Sequence, residues 1–249
     1  MPSKHKHLLH LADSTLILGH RNSEWCGHGP ILEQDIAISN ISLDLIGQAR
    51  NFYQYAATLQ NDGSTEDSYA YFRDSHEFKN LLLVEQPNGD WAQTTLRQFF
   101  FSAWQQLFFE KLVDGNDAQL AAIASKSLKE IAYHLRWSSE WVIRLGDGTQ
   151  ESHDRMNKAI DNIWSYTDEM FIPSDYEINL INDANLTDIA QLKDPWMEKV
   201  SSIFEEATLS VPASSLEHTG GKQGKHSPHL DVILKEMQSV ARTDPGAHW

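Results

Sequence analysis

Apolar residues in this chain recur at intervals of three and four over long runs, while period-two alternation is scarce, so long helices must dominate the fold. A first helix is predicted over about residues 8–26, stopped by the breaker cluster Gly27-His28-Gly29-Pro30. Pro30 suits the first turn of a second helix that continues to about residue 60. A third spans about 91–113, Asp114-Gly115-Asn116-Asp117 makes a tight turn, and a fourth covers about 118–145 before Gly146-Asp147-Gly148 closes it. Residues 61–89 carry loop signals around one shorter helical piece at about 69–83. Further helices are expected near 152–170, 188–209 and 228–242, the last with Ser227 as N-cap and Pro228 in its first turn.

A helix pair, a long crossover and a second helix pair is the connectivity of ferritin-like bundles. The expected fold is therefore all-α: a ferritin-like four-helix bundle. A single domain over residues 1–249 is expected, with the core bundle at about 8–147 and peripheral helices and a C-terminal segment at about 150–249. The second helix has two apolar stripes. One holds Leu32, Ile36, Leu43, Ile46, Tyr53 and Ala57; the other holds Ile31, Ile38, Ile41, Leu45 and Phe52. A helix apolar on so much of its circumference is expected to lie deep in the protein.

A formal charge of −15 argues against nucleic-acid binding and against an anionic membrane surface, and it agrees with docking of a basic partner. Cys26 stands alone, so no disulfide framework exists and a reducing, cytoplasmic setting is expected. The polar, His-rich start has no apolar stretch fit for a signal peptide, and no run approaches the ~20 apolar residues of a membrane span.

In a di-iron bundle of this connectivity, paired helices present Glu-x-x-His motifs with both side chains pointing inward. The second helix here reads DLIG at Asp44–Gly47, and the fourth reads EIAY at Glu130–Tyr133. Both histidines are missing, so Asp44, Gly47, Glu130 and Tyr133 mark degenerate metal positions. Asn40, Asp44, Gly47 and Asn51 share one stripe of the second helix, and Lys126, Glu130 and Tyr133 share one of the fourth, with His134 beside it. Three readings stay open. Asp44, Glu130 and His134 still hold a metal, although the first helix adds only Asp13 at the right height and the third only Gln105 and Gln106. Alternatively Lys126 supplies the cation that the metal once supplied, in a buried ion-pair network with Asp44 and Glu130. In the third reading these residues lie on solvated faces and never meet.

Other signals are weaker. Cys26-Gly27-His28 has no second pair and so lacks zinc spacing. The tract 219–229 gathers glycines, Lys222, Lys225 and His226 ahead of a helix N-terminus, which reads as an anion or partner cradle or as a tether for the last helix. Trp164, Trp196 and Trp249 lie outside the four main helices and are the candidates for an exposed partner surface.

Residues 16–56, 80–100, 129–149 and 219–238, together with the terminal Pro-Gly-x-x-Trp, resemble the structural subunits of bacterial ring-1,2-phenylacetyl-CoA epoxidases in order along the whole chain. That resemblance implies a multicomponent monooxygenase of aerobic phenylacetate degradation. A sister ferritin-like subunit holds the di-iron centre and epoxidises the aromatic ring, and a reductase subunit delivers electrons from NADPH. This chain would bind no cofactor itself and would support the catalytic subunit in a heteromeric complex with the other epoxidase subunits. Self-association stays open, as does an independent di-iron oxidoreductase with a divergent metal site.

Overall fold

A computed structural model describes residues 2–183, 186–213 and 218–246. Trp249 and the end of the Pro-Gly-x-x-Trp motif lie outside the described residues. Among those described, regular structure is helical throughout, without a strand, and the order of elements is the ferritin-like one: a long helix pair, a crossover, and a second long pair. The chain groups into two compact units, residues 1–87 with 220–249, and residues 88–219.

In the first unit, α1 (Ser3–Ser23) packs along α2 (Leu32–Gln60). The start of α2 departs from expectation. Asp35 Oδ2 accepts from the Gly29 N–H (3.0 Å) and Ile31 is extended, so Pro30 sits in the approach rather than in the first turn. The helix ends at Asn61, which takes a left-handed conformation (φ 50°) that the short amide side chain tolerates. The crossover holds three short pieces instead of one helix: α3 (Glu66–Tyr71), a single 3₁₀ turn at Ser75–Glu77, and α4 (Leu82–Glu85). Thr65 caps α3 in a reciprocal box with Ser68.

The second unit is built on α5 (Trp91–Val113) and α6 (Ala118–Gly146), each started by an aspartate N-cap: Asp90 accepts from Gln93 N and Asp117 from Leu120 N. Against this pair lie α7 (Gln150–Ile163) and α9 (Lys193–Glu206), and α8 (Asp175–Asn182) belongs to the same unit. Phe100 is its hub. Its ring meets Trp164, Trp196 and Phe204 at centroid separations of 5.5, 5.6 and 6.1 Å, and its carbonyl accepts from the Trp196 indole N–H at 3.0 Å. Trp164 and Trp196 are thus core residues, not partner-facing ones. Their helices are too short to read as core from periodicity, yet they supply the large apolar area that closes α5.

The last helices, α10 (Pro228–Met237) and α11 (Ser239–Thr243), return to the first unit, where α10 packs on α1 and α4. Gln238 divides them: its side-chain amide donates to the carbonyls of Ala70 and Arg73, which ties the break in the helix to the crossover.

Candidate functional site

The degenerate positions on α2 and α6 do not form a dry acidic seam. Asp44 and Glu130 are half-buried, while Gly47 and Tyr133 are exposed. Lys126 is exposed as well, facing water rather than the bundle interior. An ammonium in water is screened and hydrated, so it cannot serve as the buried counter-ion expected of it. His134 is fully buried in α6. Among the described residues, no three His, Cys, Asp or Glu side chains gather within reach of one metal ion.

Two carboxylates in the first unit are both 0 % exposed, Asp13 and Glu85; the second unit buries Arg97, Glu169 and Glu177 as well. Asp13 projects from the middle of α1, and four N–H or O–H groups converge on it. Tyr53 Oη donates at 2.5 Å, the Lys79 backbone N–H at 2.7 Å, Arg73 Nη1 at 3.2 Å, and Arg73 Nη2 also donates. Arg73 spends its remaining N–H groups on the Tyr69 carbonyl (2.6 Å), the Glu77 carbonyl (3.1 Å) and Tyr53 Oη (3.1 Å), so the whole guanidinium fork is satisfied. Its plane lies 4.2 Å from the Phe78 ring centroid. Burial alone would lower the Arg73 pKa, but the Asp13 charge outweighs it and holds the guanidinium above its ordinary range. Burial and the same carboxylate push the Tyr53 phenol well up, so it stays a donor.

Glu85 closes the second centre. Oε1 accepts from the Ser227 N–H at 2.7 Å, and Oε2 from Asn80 Nδ2 at 2.9 Å and from His226 Nδ1 at 2.8 Å. His226 Nε2 donates to the Phe78 carbonyl at 3.0 Å. A carbonyl and an ionised carboxylate both only accept, so the arrangement favours the imidazolium form of His226, with a proton on each ring nitrogen. Burial opposes that charge, and the hydrogen bond and negative charge of Glu85 overcome it, raising the His226 pKa above 6.5.

This geometry corrects the reading of the tract 219–229. It is an anion cradle, but the anion is the chain's own Glu85, set at the N-terminus of α10. His226 is committed, Lys222 is buried with a partner of its own, and only Lys225 is exposed, so the three do not face solvent together. The glycines serve contact rather than mobility. A Cβ on Gly221 would stand 2.2 Å from the Asn80 carbonyl oxygen, and one on Gly224 (φ +81°) would stand 2.1 Å from that of His76.

The two centres share one strip of chain. Residues 78–82 run along α1, where His10 Nδ1 donates to the Lys79 carbonyl (2.7 Å), Asp13 accepts the Lys79 N–H, and Ser14 Oγ accepts the Leu81 N–H (3.2 Å). On its other side the strip is held by His226 and by Gly221. Arg21 adds two hydrogen bonds to the Glu85 carbonyl, at 2.9 and 3.3 Å. Sequence reasoning reached Asp13 and His226 but missed Arg73, Tyr53, Glu85 and Asn80. Arg73 sits in a polar run of the crossover, 60 residues from Asp13, and no local periodicity flags it. The arrangement's chemistry is charge neutralisation in a dry interior.

Comparison with known proteins agrees with the helical plan. A 1,2-phenylacetyl-CoA epoxidase component from Escherichia coli (strain K12), one of that enzyme's lettered subunits, is 47% identical over 241 residues, covering 97% of each chain. The family described as phenylacetic acid catabolic protein matches residues 2–249, and the chain belongs to that family.

Proposed function

We propose that this chain is a non-catalytic structural subunit of a phenylacetyl-CoA epoxidase, supporting a di-iron catalytic subunit in aerobic phenylacetate degradation. The observation that carries the reading is the 47% identity to an epoxidase component along 97% of both chains. The side chains lend support. A di-iron bundle needs about four carboxylates and two histidines, and this donor set does not fit. Gly47 and Tyr133 offer no imidazole, and the oxygens of Asp13, the acid of α1 at the right height, are taken by Tyr53, Arg73 and the Lys79 N–H. In this reading the partner holds the iron and a reductase subunit passes electrons from NADPH. The chain acts as one functional domain in the cytoplasm, consistent with its lone, exposed Cys26.

Co-expression with the catalytic and reductase subunits tests the proposal. The expected result is a complex of fixed stoichiometry whose epoxidation of phenylacetyl-CoA is lost when this chain is omitted, with the chain inert on its own. Epoxidation by this chain and the reductase alone would contradict it and would favour the independent metalloenzyme.

A further inference from the structure

Helix α2 buries most of its apolar side chains but leaves one row of them in water. Ile38, Ile41, Leu45 and Phe52 are wholly buried, as expected for a core face. Leu32, Ile36 and Leu43, predicted to be buried too, are 72%, 52% and 67% exposed. With Gly47 they follow a spacing of four, seven and four, which sets them on one stripe, within about 60° of arc and about 22 Å long at 1.5 Å per residue. Gly47 ends the line, and nothing beyond its chain neighbours and its own helix backbone lies within 4 Å of the place where its Cβ would be. A continuous row of large apolar side chains left in water is the kind of patch that marks a partner surface.

The form and charge of this face select its occupant. A row of apolar residues at three- and four-residue spacing is a ridge that fits the groove of another helix, and an open glycine lets a second backbone come close. Glu33, Asp35 and Asp44 flank the row, on a chain of net charge −15. Two copies of this face placed together would set acid against acid, whereas a foreign helix edged with Lys or Arg would be attracted. We propose that the Leu32–Ile36–Leu43–Gly47 face of α2 docks an apolar helix ridge of the catalytic subunit, flanked by basic residues. This rests on the reading of the chain as an epoxidase subunit.

The test measures binding of the full-length chain to the catalytic subunit by titration calorimetry, with Leu43→Glu, Gly47→Phe and, as a control, Val232→Glu on exposed α10. All three positions are exposed, so each variant should keep the wild-type melting temperature. Gly47→Phe adds bulk only toward solvent and decides the matter should Leu43→Glu fold poorly. Leu43→Glu and Gly47→Phe should each weaken Kd by roughly thirtyfold or more, the scale of a central interface residue, and Val232→Glu by less than about twofold. Wild-type affinity in both stripe variants would overturn the docking face while leaving the subunit reading intact. A wild-type homodimer dispersed by Leu43→Glu would overturn the choice of occupant. A wild-type chain that fails to bind the catalytic subunit at all would overturn both readings.

Discussion

The unit formed by residues 1–87 and 220–249 is organised by two buried carboxylates, while the unit of residues 88–219 is organised by aromatic rings around Phe100. The two interiors respond to damage differently. An aromatic cluster is non-directional, and trimming one ring leaves a cavity that its neighbours partly fill. A buried ion pair is directional, and removing one member leaves a charge that no repacking can neutralise. The polar interior also joins segments far apart in sequence: α1, the crossover strip and the tract before α10 are tied together through Asp13 and Glu85. The Asp13 and Glu85 centres thus depend on a few directional pairings, and the cluster around Phe100 on bulk.

Four substitutions would break or sharpen that contrast. The largest effect is expected at Arg73→Met, which removes the counter-charge of Asp13 and leaves it only the Tyr53 hydroxyl and the Lys79 N–H as donors. Denaturant unfolding should register a loss of about 3–5 kcal/mol, and a loss below about 1 kcal/mol would show that Asp13 is neutral or solvated. On the aromatic side the probe is Trp196→Phe, which keeps a ring but removes the indole N–H bond to the Phe100 carbonyl. Here the expected loss is about 1–3 kcal/mol, and a loss equal to that of Arg73→Met would erase the difference between the units.

His226→Leu should cost about 2–3 kcal/mol at acidic pH, because Glu85 loses a charged donor. Its sign with pH is fixed by the raised His226 pKa. The stabilisation is fully present below the unfolded value near 6.5 and is lost as pH rises through the higher folded value. Melting temperature followed across that window should therefore converge for wild type and variant on the alkaline side. A gap that instead widens with rising pH would mean His226 is held neutral. The smallest effect belongs to Lys126→Met, expected within about 0.5 kcal/mol of wild type because the ammonium is in water. A loss of several kcal/mol would restore the buried network first expected there.

What could be read from the sequence divides along the same line. The long helices α5 and α6 were legible almost to the residue, because periodicity and the aspartate and glycine punctuation agreed. The crossover was not, since its structure follows from side chains such as Asp13, Arg73 and His226 that reach it from elsewhere. A cation does lie beside a buried acid, but the pair is Arg73 and Asp13 rather than Lys126 with Asp44 and Glu130. Lys126 stood closer in the helical pattern, but helical spacing fixes only a side of a helix and not what covers it. The exposed stripe of α2 misled for the same reason: Leu32 and Leu43 look like core residues in any single chain, and the surface that buries them need not belong to that chain.

Asp13 and Glu85 are spent on the internal cations Arg73 and His226, and in the proposed reading iron is left to a partner. Metal analysis of the separated subunits after co-expression in iron-replete cells tests it most directly. The account predicts that iron travels with the catalytic subunit and stays below about a tenth of an equivalent in this chain, whereas roughly one to two equivalents bound here, the loading of a working carboxylate-bridged site, would contradict it.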